Sequence, residues 1–192
     1  MSRLISFLAD PRLEVPLMLA LAVMWWYRNG APVEFLSLLL FIDAGLPGWF
    51  YGHLWQKKEI SDGDITERKE RLPLYWFTTI SHLAGVGVAA VFGQWLLAQV
   101  LGVFWVLALV FTLITTKWKI SVHMGVNTAL VIYLMLSDIG RYFGLCFVMV
   151  SVVWLMIVGW SRWSLKRHSL AQIIAGVILA GTITWVGLGV VL

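Results

Sequence analysis

A single cysteine, Cys146, stands in the 192 residues, so no disulfide can form within the chain. It sits inside an apolar run, where a small packing residue is its expected part. Charge is almost as scarce. Asp, Glu, Lys and Arg make up 12% of the residues against 60% hydrophobic ones, about half the charged share of a soluble domain. Between Leu72 and Thr116 there is no formally charged residue at all. These shortages exclude a soluble globular domain. They also exclude a nucleic-acid-binding face, because the basic residues are scattered among apolar stretches and not gathered on one surface. Nor does the start of the chain read as a cleaved signal peptide: Asp10, Pro11 and Arg12 interrupt its apolar character too early.

What remains is an all-α, polytopic transmembrane bundle filling residues 1–192 as one integral membrane domain. A crossing needs about 20 apolar residues. Seven segments approach that length: 13–28, 33–56, 73–92, 94–116, 120–137, 141–160 and 169–192. The first is short and contains Pro16, so six to seven spans are expected. In the second, Asp43-Ala-Gly-Leu-Pro47-Gly48 predicts a kink or break, since proline removes a backbone donor and glycine loosens the helix. Asp43 is a functional candidate simply because a carboxyl group is costly in hydrocarbon. His82 reads as a hydrogen-bonded packing residue. The turn between the third and fourth segments falls at Gly93-Gln94 or at Gln99.

Two crossings between successive polar clusters bring the loops 57–72, 117–119 and 161–168 out on one side. That side then carries Arg3, Arg12, Lys57, Lys58, Arg68, Lys69, Arg71, Lys117, Lys119, Arg162, Lys166 and Arg167, leaving only Arg28 and Arg141 of the 14 basic residues opposite. The positive-inside rule makes this face cytoplasmic, and the membrane is expected to be the cell membrane. The net charge of +4 is explained by the same topology. Trp49, Trp55, Trp76, Trp118, Trp160 and Trp163 fall near span ends, as interfacial anchors would.

Each polar cluster carries groups suited to an anion. Arg68 and Arg71 are one helical turn apart and can grip one anion together. Ser121 and His123 open the fifth segment, where helix N–H groups and dipole favour negative charge. Ser161, Arg162, His168 and Gln172 lie around the start of the last segment, with His168 and Gln172 four residues apart on one helix face. The Gln172 carbonyl can accept Nδ1–H of His168 and leave Nε2 ready to attack phosphorus.

Taken in order, Arg71 near Pro73, Ser121-x-His123 and Ser161-Arg162-x5-His168 resemble the three-part signature of the type 2 phosphatidic acid phosphatase family. That signature is Lys-x6-Arg-Pro, Pro-Ser-Gly-His and Ser-Arg-x5-His-x3-Asp. The third part is matched at the right order and spacing. In the others, Asp64 stands at the Lys position, Pro73 is displaced by one residue, and Ile120 and Val122 replace Pro and Gly. Gln172 stands where the family carries Asp.

The resemblance implies metal-independent hydrolysis of a lipid or polyprenyl phosphate or diphosphate, with no cofactor. His168 would be the nucleophile that forms a phosphohistidine, His123 the acid that protonates the leaving group, and Gln172 the orienting partner. Arg68, Arg71, Ser121 and Arg162 would bind the phosphoryl oxygens, with Ser161 in support. The expected partners are a lipid phosphate substrate and membrane lipids. Two other readings stay open. One is a catalytically impaired relative that binds or transports a phospholipid or polyprenyl phosphate, suggested by Gln172. The other is a Mg²⁺-dependent membrane transferase using Asp62 and Asp64.

Overall fold

The computed structural model describes residues 1–17 and 32–191. It is all-helical. Seven helices are defined: α1 (Ser2–Leu8), α2 (Val33–Gln56), α3 (Arg68–Val91), α4 (Trp95–Thr115), α5 (Val122–Leu136), α6 (Asp138–Ser164) and α7 (Leu170–Val191). Residues 11–17 are also helical. They open the expected segment 13–28, the rest of which lies outside the described residues, as does Arg28. Among the described residues, five helices are long and apolar enough to cross a bilayer: α2, α3, α4, Gly140–Ser164 of α6, and α7. The chain is read accordingly as an integral membrane protein. The described residues fall into two compact units, Val15–Trp118 and Met1–Glu14 with Lys119–Leu192.

In the unit Val15–Trp118, α3 and α4 form a helical hairpin that turns at Gly93, whose φ of 71° suits glycine, with Gln94 capping α4. The turn at Gln99 is thereby excluded. Phe35, Leu36 and Leu39 of α2 pack with Ala89 of α3 and with Leu97, Ala98 and Leu101 of α4. Deeper in the hairpin, the Thr79 and Thr112 hydroxyls meet at 2.9 Å and satisfy each other in an apolar setting.

Two expectations are corrected here. The loop expected over 57–72 ends sooner, because α3 begins at Arg68 and carries Pro73 inside it. The kink or break expected at Asp43–Gly48 takes the form of a π-helical turn over Phe41–Gly45, and the helix runs on to Gln56. Pro47 has no N–H for the Asp43 carbonyl and its ring would crowd that oxygen. Widening the preceding turn relieves the clash without ending the helix. The six tryptophans expected as anchors all have exposed side chains.

In the other unit, α5, α6 and α7 pack around Met124, Val158 and Ile173, with Ala9 and Ile5 of the N-terminal stretch closing the cluster. α5 has 15 residues, a length of only about 22 Å, so the segment expected at 120–137 is shorter than each of the five candidate spans. It stops because Ser137 adopts extended backbone, its hydroxyl donating to the Leu134 carbonyl at 2.6 Å. α6 is interrupted at Gly144, which has φ 50° and ψ −127°.

α7 approaches the start of α5 closely at Gly176. A Cβ there would lie 2.6 Å from the Ser121 carbonyl oxygen and 3.3 Å from the Met124 Cβ. The obstacle is backbone and cannot swing aside, so small-residue packing between membrane helices is obligatory at this point. Gly176→Ala is expected to cost about 1–3 kcal/mol, visible as a lowered Tm of the detergent-solubilised protein. A conserved Tm would show that α5 and α7 separate freely here.

Candidate functional site

The unit formed by Met1–Glu14 and Lys119–Leu192 holds most of the residues singled out in the sequence. Ser121 is the N-cap of α5: its backbone is extended, and its hydroxyl oxygen accepts the Met124 N–H at a long 3.5 Å. Its own N–H donates to the Gln172 carbonyl at 3.3 Å. That bond and the Gly176 contact fix the α5 N-terminus against the first turn of α7. His123 follows within the first turn of α5 and is buried.

Ser161 and Arg162 sit in the last turn of α6, both with no exposed surface. The Ser161 hydroxyl donates to the Ser2 carbonyl at 2.7 Å. Arg162 Nη1 donates to the Ser6 hydroxyl and lies 3.4 Å from Nε2 of His123. Guanidinium only donates, so Nε2 of His123 is the lone-pair nitrogen in this arrangement. The Asp10 carboxylate stands 3.9 Å from the same nitrogen. A buried guanidinium is expensive to desolvate, and here it is tied to α1 and set against an imidazole.

His168 is buried in the turn between α6 and α7, which Lys166 helps to form with a φ of 53°. Its Nδ1 lies 3.1 Å from Gln172 Oε1, and the Ser169 N–H is at the same distance from that oxygen. A backbone N–H can only donate, which identifies the Gln172 atom as the carbonyl oxygen. The same oxygen must then accept from His168, placing the proton on Nδ1 and the lone pair on Nε2. The Ser169 hydroxyl in turn accepts the Gln172 N–H at 3.4 Å. Ser169-x-x-Gln172 is therefore a capping box at the start of α7. This accounts for a glutamine at 172 in local terms: the box needs the longer side chain to reach back to the Ser169 N–H.

Arg68 and Arg71 belong to the other unit. Arg68 donates to the Thr115 carbonyl at 2.9 Å and to the Thr116 carbonyl, so it caps the C-terminus of α4, where a cation offsets the helix dipole. Arg71 is buried, and its Nε donates to the Ile65 carbonyl at 2.6 Å, holding a loop residue with a φ of 45°. Asp62 accepts the Thr66 N–H at 3.1 Å in the same loop. His82, expected as a packing residue, pairs with Asp43, its Nδ1 lying 2.7 Å from Oδ1.

Several site residues were not singled out from the sequence. Asp10 caps the helical stretch 11–17, accepting the Arg12 N–H and Nε–H at 2.8 Å each. Asn127 lies one turn after His123. Its amide donates to the His123 carbonyl at 2.7 Å, and it also contacts Glu14 at 2.5 Å and the Ala9 carbonyl at 3.1 Å. The Trp154 indole N–H donates to the Asn127 side-chain oxygen Oδ1 at 2.7 Å. Ser2 and Ser6 bring α1 to the end of α6. The available signals were Asp10-Pro11, an N-cap followed by proline at N1, and an asparagine on an apolar helix at i+4 from a histidine.

The arrangement offers one imidazole with its Nε2 lone pair oriented, a second imidazole beside a carboxylate, and a buried guanidinium. Those are the ingredients of nucleophilic and acid catalysis at phosphorus. Compared with protein-family models, curated proteins and solved structures, the chain finds no match in any of the three.

Proposed function

We propose that this integral membrane protein is a lipid phosphatase, hydrolysing the phosphate or diphosphate of a lipid or polyprenyl chain without metal. The observation that carries the reading is the orientation of His168 by Gln172, within the unit where Arg162 is buried against His123. Support also comes from the order Ser161-Arg162-x5-His168 and from the resemblance of that pattern to the type 2 phosphatidic acid phosphatases.

In the proposed reaction, the Nε2 lone pair of His168 attacks phosphorus. The P–N bond forms as the bond from phosphorus to the leaving oxygen breaks, the lipid alkoxide oxygen in a monophosphate or the bridging oxygen of the departing lipid monophosphate in a diphosphate. Arg162 donates to the phosphoryl oxygens, with Ser121 at the α5 N-terminus alongside it and Ser161 holding the end of α6 to α1. A phosphate that engages Arg162 takes over the donor facing His123, whose Nε2 can then hold a proton. Asp10 and the phosphate dianion stabilise the imidazolium, which protonates the leaving oxygen. Water, deprotonated by His123, then attacks the phosphohistidine, returning His168 and releasing phosphate. On the resemblance alone, Arg71 and, in place of the family's lysine, Arg68 are proposed phosphate ligands; within their own unit both hold backbone carbonyls. The sidedness proposed for this chemistry is cytoplasmic, on the basic-residue asymmetry of the sequence.

The test is phosphate release from a panel of lipid mono- and diphosphates by purified protein in detergent with chelator present. Release under these conditions is expected. Activity that EDTA abolishes would favour the Mg²⁺-dependent transferase reading with Asp62 and Asp64, and no release from any substrate would sink the hydrolase.

One observation favours a second reading, in which the protein binds or transports a phospholipid or polyprenyl phosphate without cleaving it. Gln172 is neutral and serves the capping box, so it orients His168 but offers no charge to the imidazolium that forms on attack. Gln172→Asp separates the two. A working enzyme tuned to the neutral amide loses activity, because the shorter side chain gives up the capping box that sets the start of α7. An impaired relative gains phosphate release, because a carboxylate supplies the missing charge.

A further inference from the structure

We propose that Asp43 and His82 form a proton-binding dyad inside the spanning part of the unit Val15–Trp118, independent of the phosphoryl chemistry assigned to the other unit. Asp43 lies in the π-helical turn of α2, and a π turn of this kind re-aims the side chains it carries. Its carboxylate Oδ1 is 2.7 Å from His82 Nδ1. The Asp43 side chain is 1% exposed and that of His82 is 12% exposed. Asp43 Oδ2 is buried with no hydrogen-bond partner among the described residues.

Neighbouring groups do not compensate that oxygen. The Ser81 hydroxyl, adjacent to His82 on α3, donates instead to the Ile42 carbonyl. Gly85, one turn beyond His82, supplies the space: a Cβ there would lie 2.1 Å from Oδ2. The carboxylate thus occupies a notch that only glycine leaves open. His82 is the charged or titratable group that acts on Asp43. Tyr75 on α3 is seven residues before His82, and Glu34, Tyr51 and His53 on α2 are at least eight residues from Asp43. α4 carries no titratable side chain.

A carboxylate with one oxygen facing apolar atoms is costly unless a proton neutralises it or its partner carries the matching charge. Either way one proton resides in the pair, on Asp43 as the acid or on His82 as imidazolium, and the two groups titrate as a unit. The ligand is a proton taken from water and returned to it, with no other reactant. His82, the more exposed member, is where the dyad meets its surroundings. An ionisable pair held this way in a membrane span is suited to coupling proton uptake to a change in α2 packing.

The experiment is infrared difference spectroscopy between acid and alkaline buffers on the full-length protein in lipid nanodiscs. Carboxyl and imidazole bands are expected to change together. Asp43→Asn should remove one component of the carboxyl change, leaving those of the other nine acidic side chains, and alter the imidazole change, and His82→Asn should shift the transition of that component by roughly one pH unit or more. Gly85→Ala, which keeps both ionisable groups but fills the notch, should also shift it. A spectrum that Asp43→Asn leaves unchanged, or a carboxyl transition identical in His82→Asn, would overturn the proposal. Should Asp43→Asn fail to fold, the His82→Asn comparison decides alone.

Discussion

His168→Ala is expected to abolish phosphate release, lowering the rate by about 10⁴-fold or more, since it removes the nucleophile and with it the covalent route. The structure makes this a clean substitution. His168 is held in the α6–α7 turn, but the capping box between Ser169 and Gln172 does not pass through its ring. The start of α7 should therefore keep its geometry and the variant its Tm. Steady-state phosphate release with circular dichroism as a folding control checks the point. Activity retained at wild-type level in folded His168→Ala would remove this residue from the chemistry.

Arg162→Lys carries the second large effect. Among the described residues Arg162 is the largest fully buried side chain, and its guanidinium faces the Ser6 hydroxyl and His123 Nε2 together. A lysine keeps the charge but loses the planar fork, so it cannot reach both partners and a phosphoryl oxygen at once. Losing one preorganised donor to a developing charge costs about 10²–10³-fold in kcat, and that is the loss expected for Arg162→Lys. Arg162→Met should behave differently: it leaves Ser6 and His123 facing an apolar chain and lowers the Tm as well. A folded Arg162→Lys with unchanged kcat/KM would show that the arginine is a structural tie between α1 and α6 and nothing more.

Much of the architecture was legible because hydrophobic runs of span length leave little choice. The helices Val33–Gln56, Trp95–Thr115 and Leu170–Val191 match the expected segments to within a residue or two at each end. Failures came where local chemistry overrides hydropathy. α3 starts at Arg68, before its apolar run, because Arg68 and Arg71 are used on backbone carbonyls and need not stay in a loop. The Pro47 disturbance became a π turn because widening the turn relieves the clash with the Asp43 carbonyl without ending the helix.

At the site, spacing alone suggested the His168–Gln172 pair, since i,i+4 residues share a helix face. The function of Gln172 in a capping box was also written in Ser169-x-x-Gln172. The contacts of Arg162 and Asn127 were not readable, because both reach residues more than 100 positions away, Ser6 and Ala9. No periodicity reports such a distance. What a polar residue inside an apolar helix does reveal is that a partner must exist.

The central claim is that His168 forms a covalent phosphohistidine. Its most direct measurement is acid-free quenching of the purified protein during turnover of a lipid phosphate bearing radiolabelled phosphorus, followed by peptide mapping. Label is expected on the peptide containing His168, stable to alkali, labile to acid, formed with chelator present and absent in His168→Ala. Phosphate release that proceeds with no label on His168, or label that persists in His168→Ala, would contradict it.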